Sequence, residues 1–291
     1  MAKCAVIGAK GFIGKHLAFY LNQQGHQVDC YDIFDVQEKG YVSCDLTKKE
    51  DIRKINLNVD YIFMFAGLTG TFAGFDRYES YILVNEIGLL NLLDAIRLSE
   101  HRPKIIFPST RLVYKGQEKA LKEDDEKETK TIYAVNKLAC EGILQAYSIS
   151  FDIPYTTFRI CVPFGNMLAK DYSFGTIGFM IRQARDNKKI TLYGDGEIKR
   201  TFTSMKDVCR QIVGAGMKSE SDGEIYNIGG QTHSLKEAAY EIAEKYGAEV
   251  AFIPYPETDL RIESGSTYFD SHKIESLLGE IQYDDINTLF E

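Results

Sequence analysis

The sequence predicts an α/β protein, a doubly wound parallel sheet followed by a smaller C-terminal lobe. Three observations lead there. The β-branched run Ala5-Val6-Ile7 feeds a glycine-rich turn from Gly8 to Gly14 and then a helix with Ile13, Leu17, Tyr20 and Leu21 on one face. Apolar strands and amphipathic helices then alternate as far as Val162. After Pro163 that alternation weakens, and a chain of 291 residues leaves room for one large unit with a second lobe.

Each element has its own warrant. In the turn, Gly8, Gly11 and Gly14 let backbone N–H groups and the positive end of the helix approach a pyrophosphate. Gln27 to Tyr31 reads as the second strand and ends at Asp32, 18 residues beyond Gly14, where a carboxylate can bind a ribose hydroxyl. The same carboxylate repels a 2′-phosphate, so NAD is expected over NADP; Lys10, inside the turn, is the one charge that leans the other way. Tyr41 to Leu46 follows, then the polar segment Thr47 to Arg53 with capping chemistry, and Val59 to Gly67 reads as a strand buried on both faces. A helix is expected over Val84 to Arg97, with Ile87, Leu90, Leu93 and Ile96 as its apolar face, and a buried strand over Lys104 to Phe107. Lys115 to Thr131 carries charge of both signs and reads as a solvated loop. The next helix starts near Tyr133 and runs to about Ser150, and Pro154 to Val162 is the following strand. Gly165 to Tyr172 is expected to be an irregular loop. No repeat or low-complexity tract interrupts the chain.

Composition excludes several classes. The 34 basic and 42 acidic residues give a formal charge of −8, which argues against a nucleic-acid partner. No apolar run approaches the roughly 20 residues of a membrane span, and the N-terminus runs into glycines without a cleavage site, so a cytoplasmic protein is expected. Cys4, Cys30, Cys44, Cys140, Cys161 and Cys209 show no CxxC spacing and read as reduced thiols. His16, His26, His101, His233 and His272 show no ligand spacing either, so no metal is expected and they read as surface or cap residues.

Tyr133 and Lys137 lie four residues apart, so a helix brings them to one face. The pair reads either as an exposed Tyr and Lys or as a general base, because a neighbouring cation favours a phenolate.

In order along the chain stand Gly8-x-x-Gly11-Phe12-Ile13-Gly14, Asp32, Asp45-Leu46, Phe65-Ala66-Gly67, Asn85, Ser109-Thr110 and Tyr133-x-x-x-Lys137. Arg159, Phe164-Gly165, Tyr193-Gly194-Asp195-Gly196, Arg200-Thr201-Phe202, Asp207-Val208, Tyr226-Asn227-Ile228-Gly229 and Leu278-Gly279 follow. In this series the chain resembles the extended short-chain dehydrogenases/reductases of the NAD-dependent nucleotide-sugar epimerase/dehydratase group. The resemblance implies a Rossmann-type dinucleotide-binding domain from 1–162 with about 201–230. About 163–200 with 231–291 would form the nucleotide-sugar-binding lobe. It also implies that Gly8, Gly11, Phe12, Ile13, Gly14, Asp32, Asp45, Leu46, Phe65, Ala66, Gly67 and Asn85 hold the cofactor together with Tyr133 and Lys137. Tyr133 is then the acid/base, Lys137 binds the nicotinamide ribose and lowers the Tyr133 pKa, and Thr110 bonds the reacting sugar oxygen. Arg200 and Arg261 resemble residues that meet the diphosphate, as a guanidinium fork suits phosphate, and Arg111 is a further candidate for the substrate. A homodimer is implied, with Leu89, Leu92, Leu138 and Ile143 as candidate apolar surface.

Two departures narrow the reaction. The dehydratases carry an acid pair after the threonine and the decarboxylases a glutamate, but here Arg111 and Leu112 stand there, so both reactions lack a proton donor. Val162 takes the place of an asparagine common in plain UDP-galactose epimerases. The expectation is a nucleoside-diphosphate-sugar 4-epimerase acting through a 4-keto intermediate; the alternative is an NAD(P)H-dependent 4-keto-sugar reductase. A non-catalytic dinucleotide sensor is disfavoured because Tyr133, Lys137 and Thr110 are all retained.

Overall fold

The computed structural model describes residues 1–169 and 174–290. Twelve strands occur among them: β1 Lys3–Ile7, β2 Gln27–Asp32, β3 Tyr41–Ser43, β4 Tyr61–Met64, β5 Lys104–Thr110, β6 Tyr155–Ile160, β7 Val162–Phe164, β8 Lys189–Tyr193, β9 Lys199–Ser204, β10 Glu224–Asn227, β11 Gln231–Ser234 and β12 Glu249–Ile253. Contacts divide the chain into two compact units. The first holds Met1–Val113, Thr131–Arg159 and Ile212–Tyr226, and the second holds Tyr114–Lys130, Ile160–Gln211 and Asn227–Glu291.

The first unit is built on a seven-stranded sheet of order β10-β6-β5-β4-β1-β2-β3. The ladders of β1 with β2 and β4, of β2 with β3 and of β4 with β5 are parallel. Strand order reverses between β1 and β4, which opens a crevice at the carboxyl ends of those strands. Ala5, Ile7, Ile62, Met64, Ile105 and Phe107 sit in the core between the sheet and its helices. These are the near-continuous apolar runs that a doubly covered sheet requires.

The helix expected from Val84 starts earlier and is not uniform. A turn of π-helix, Ile82–Ile87, precedes the α-helix Gly88–Leu98. The wider turn changes the angular register, so the buried face is Leu89, Leu92, Leu93 and Ile96, while Ile87 is 37% exposed. His16 is likewise no surface residue: it is fully buried, with Nδ1 2.6 Å from the Phe12 carbonyl. All six cysteines are free thiols, and Cys4, Cys44, Cys140 and Cys209 are buried.

In the second unit β9 pairs antiparallel with β11 and parallel with β7, and β8 pairs with β12. The helices Gly175–Asn187 and Leu235–Tyr246 cover them around Phe164, Ile177, Met180, Ile190, Phe202 and Ile242. The strand expected to run through Val162 ends at Ile160, and Val162–Phe164 joins this second set of strands. The segment 114–130 departs from a solvated loop, because Leu121 is fully buried and bridges to Phe269, and Asn227 bonds both Glu123 and the Leu121 carbonyl. Those contacts place 114–130, like 201–211, with the second unit. Of the expected loop Gly165 to Tyr172, residues 165–169 carry no helix or strand and 170–172 lie outside the described residues.

Candidate active site

Two close approaches shape the glycine turn. Gly8 has φ +89°, and a Cβ there would lie 2.4 Å from the Ala66 nitrogen; one on Gly14 would lie 2.0 Å from the Gly8 carbonyl oxygen. The Gly8 and Ala9 N–H groups donate to the Tyr31 carbonyl at 2.8 and 3.1 Å, tying the turn to β2. The helix Phe12–Gln23 begins at Gly11 with no side-chain cap, so the N–H groups of its first turn, those of Phe12 and Ile13 included, face an anion site in the manner of phosphate-binding turns.

Beside this cradle lies a cleft of about 460 Å³ whose lining includes Gly8, Asp32, Asp45, Leu46, Gly67 and Leu83. Phe65 and Ala66 also line it. The Asp32 carboxylate accepts from the Lys10 and Ile33 N–H groups, both at 2.8 Å, which fixes it at the mouth of β2. Lys10 pairs through its ammonium with Glu38 and lies 4.8 Å over the Tyr41 ring. Its charge is thus balanced by Glu38, while Asp32 faces the cleft. Asp45 accepts from the N–H and hydroxyl of Thr47 at 3.0 and 2.7 Å. The residues therefore fit a dinucleotide, with no Cβ in the cradle and an acid where a ribose would lie.

Asn85 is the buried anchor of this wall. Its side chain accepts from the Leu68 N–H at 2.7 Å and donates to the Leu68 carbonyl at 3.0 Å, clamping the chain just after Phe65-Ala66-Gly67. It sits within the π-turn, a geometry that recurs at functional positions.

Thr131 starts the helix Ile132–Phe151 by accepting from the Ala134 N–H at 3.1 Å. One turn on, Tyr133 and Lys137 share the face toward β5. The Lys137 ammonium lies 4.3 Å over the Phe107 ring and 5.9 Å from the centroid of the Tyr133 ring. At the end of β5, Thr110 is 7% exposed and its hydroxyl hydrogen-bonds the Tyr133 phenol. The three expected catalytic residues are thus brought together.

The electrostatics differ from the expectation. Burial pushes the Tyr133 phenol above its ordinary value; the Thr110 hydroxyl lowers it, while Tyr81 and Cys140 raise it. Burial also holds the Lys137 ammonium down to about 8, with Cys140 and Glu141 pulling it back up. The net shift on Tyr133 is upward, because desolvation of a phenolate outweighs the Thr110 hydroxyl.

Two supports were not visible in the motif series as such. Glu141 accepts from Arg159 Nε at 3.0 Å and Nη2 at 2.6 Å and from the Ser109 hydroxyl at 2.5 Å, all three residues being buried. That cluster adjoins Thr110 in sequence and lies one helical turn from Lys137. Tyr81, buried beside Tyr133, donates to the Thr69 carbonyl at 2.6 Å; nothing in its spacing marks it.

Of the three arginines, one belongs to the first unit and two to the second. Arg111 lies in the short 3-10 turn after Thr110 and is partly exposed. Arg200, in the second unit, is 2% exposed and donates to Glu263 at 2.7 Å and to the Lys199 and Gly265 carbonyls at 3.0 and 2.5 Å. Arg261 stands exposed in the same unit and pairs with Glu257.

A sequence profile of the NAD dependent epimerase/dehydratase family matches residues 4–229, spanning the cradle, the cleft and the Tyr133 helix. The chain belongs to this family. Among its relatives, a UDP-N-acetyl-alpha-D-glucosaminuronate decarboxylase of Bacillus cytotoxicus is 29% identical over 82% of this chain and 79% of its own length. An uncharacterized UDP-glucose epimerase of Bacillus subtilis, YtcB, is 28% identical over 95% and 92%. The solved structure of MoeE5 in complex with UDP-glucuronic acid and NAD matches with a TM-score of 0.81 and 26% identity over 98% of this chain and 95% of that one. The family places the chain among NAD-dependent enzymes acting on nucleotide sugars.

Proposed function

We propose that this protein is a nucleoside-diphosphate-sugar 4-epimerase that works through bound NAD. The observation that carries the reading is the hydrogen-bonded Thr110–Tyr133 pair above a buried Lys137, followed by Arg111 and Leu112 where an elimination or decarboxylation would need a carboxyl group.

Gly8, Gly11 and Gly14, with the Phe12 and Ile13 N–H groups, would hold the pyrophosphate, Asp32 one ribose, and Asp45, Leu46, Phe65, Ala66 and Gly67 the walls of the cleft, with Asn85 fixing Leu68 behind them. Lys137 would hold the second ribose. When bound, NAD would supply the hydride acceptor, and in its reduced form the hydride donor, for chemistry at the sugar C4.

Oxidation comes first and uses the Tyr133 phenolate, which takes the C4 hydroxyl proton; the phenol so formed returns that proton to the C4 oxygen in the reduction half, so Tyr133 ends as it began. Burial raises the Tyr133 pKa, so the phenolate is the minor form at neutral pH and its population grows with pH, and Thr110 steadies whichever oxygen is present. Proton transfer in both halves falls to Tyr133.

For the substrate, UDP-sugars are supported by the UDP-sugar decarboxylase and epimerase among the relatives and by the UDP-glucuronic acid complex of MoeE5. Arg261 is exposed and suits a diphosphate, and Arg111 lies directly after Thr110, close to the reacting end. Arg200 acts through its buried contacts, fixing the segment Glu263–Gly265. A homodimer is proposed on the exposed Ile87 and Val135, and six free thiols support a reducing compartment such as the cytoplasm.

The test is the Tyr133→Phe variant assayed with UDP-glucose and UDP-glucuronate, together with the dinucleotide released on denaturing the wild type. Turnover should fall by roughly 10²–10⁴ with fold and dinucleotide intact. Near-normal turnover, or a wild type that releases no dinucleotide and consumes NADH in stoichiometric reduction, overturns the reading.

A further inference from the structure

We propose that His233, Glu241 and Asp285 form a structural binding site for a divalent transition-metal ion of the zinc type, contained within the second unit. One donor atom from each residue lies within 4.8 Å of the others. The imidazole stands between the carboxylates, with Nδ1 3.8 Å from Glu241 Oε1 and Nε2 3.4 Å from Asp285 Oδ2.

None of these approaches is a hydrogen bond. His233 Nε2 and Glu241 Oε2 are sealed from solvent, and neither has a hydrogen-bond partner. A buried, unsatisfied donor or acceptor of this kind costs about 1–3 kcal/mol, and two of them on residues of one cluster call for a ligand that satisfies both. Asp285 Oδ1 accepts from the Asn287 N–H and side chain, leaving Oδ2 for the cluster. Glu237 is occupied by the Ser234 N–H in the capping box that starts the helix Leu235–Tyr246.

The donor chemistry selects the ion. One imidazole nitrogen and two carboxylate oxygens suit zinc or its neighbours, whereas calcium and magnesium take oxygen alone. A tetrahedral ion with bonds of about 2.1 Å spaces its ligands about 3.4 Å apart, and the His233–Asp285 approach already has that value.

Spacing in the chain does not show the site, since its ligands sit at 233, 241 and 285. They come from β11, the helix Leu235–Tyr246 and the residue before the 3-10 turn Ile286–Phe290. Ile286 is buried and Leu289 and Phe290 pack on the core of this unit, so an ion here would fasten the C-terminal turn to the strand and the helix. Its role is stability.

The experiment uses the tag-free 291-residue chain stripped with a chelator and dialysed against zinc chloride, with bound metal counted by emission spectrometry and unfolding followed by heating. Wild type should retain one zinc per chain, and at a hundredfold excess over the dissociation constant its unfolding midpoint should rise by roughly 5 °C. His233→Gln and Asp285→Asn should retain less than a tenth as much, with a midpoint indifferent to zinc, while Tyr133→Phe keeps the wild-type zinc. A wild type that binds no stoichiometric zinc overturns the site, whatever its activity. So does a His233→Gln variant that binds as wild type does, and so does an NMR titration showing His233 held as a cation between the two carboxylates with zinc present.

Discussion

The ammonium of Lys137 rests 4.3 Å over the ring of Phe107, inside the first unit, on a residue only 4% exposed. The ring face is attractive to a cation, but it does not replace water, and burial holds Lys137 down to about 8 from 10.5. Two opposite pH effects follow. Between about 8 and 10.5 the unfolded chain binds a proton at this lysine that the folded chain has lost, so this group's contribution to stability grows as pH rises through that window. Its charge fades over the same range, and binding of a ribose through the ammonium weakens. NAD affinity measured at pH 7 and pH 9 should therefore drop in wild type, and Lys137→Met should bind more weakly at both with no such step. An equal step in the variant would assign the titration elsewhere.

The Glu141–Arg159 pair is buried on both sides and shares its carboxylate with Ser109. Removing one member leaves the other charge without its partner, which costs about 3–5 kcal/mol. Glu141→Ala should lose that much in urea unfolding. Glu141→Leu paired with Arg159→Met should recover a large part of it, since an apolar pair of similar volume leaves no charge stranded. Failure of the double variant to improve on the single would show that Ser109 and Thr110 depend on the carboxylate itself.

Gly14 and Gly142 form a contrast within the same unit. A Cβ on Gly14 meets the Gly8 carbonyl oxygen at 2.0 Å, backbone that can yield only by opening the cradle. Gly14→Ala should abolish NAD binding and lower stability. Gly142, inside the helix Ile132–Phe151, has nothing within 4 Å and no positive φ. Gly142→Ala should stabilise by roughly 0.5–1 kcal/mol. Thermal unfolding with and without NAD separates the two effects.

The sequence was most legible where local rules and tertiary need coincide. The strand–turn–helix at Gly8 to Gly14 and the i,i+4 pair Tyr133–Lys137 are set by backbone geometry, and the structure shows both. The face of the helix after Tyr81 was misread because one π-turn rotates everything before it, and no residue pattern announces such a turn. The charge run 114–130 masked Leu121, whose burial depends on Phe269, almost 150 positions away. The upward shift on Tyr133 has the same origin: spacing reports the neighbouring lysine, while desolvation depends on how much chain packs around both. Arg200 reads as a ligand-binding arginine until Glu263 and Gly265 are seen to hold its guanidinium.

The candidate dimer surface changes for the same reason. Leu89 and Leu92, which an apolar helix face suggests, are fully buried in the core of their own unit and have nothing left to offer a partner. Exposed instead are Ile87 at 37% and Val135 at 45%, on either side of the contact between Glu86 and Asn136. Burying two such side chains against a second copy removes apolar surface worth about 25 cal/mol per Å² from water, and a C₂ axis would use each residue twice. Val135→Glu places a charge in that patch without touching the core. Sedimentation should then give a dimer for wild type and a monomer for Val135→Glu, with unchanged far-ultraviolet circular dichroism in both. Leu89→Glu, in contrast, should unfold the first unit. A wild type that sediments as a monomer across micromolar concentrations, or a Val135→Glu variant that stays dimeric, removes this face from the assembly.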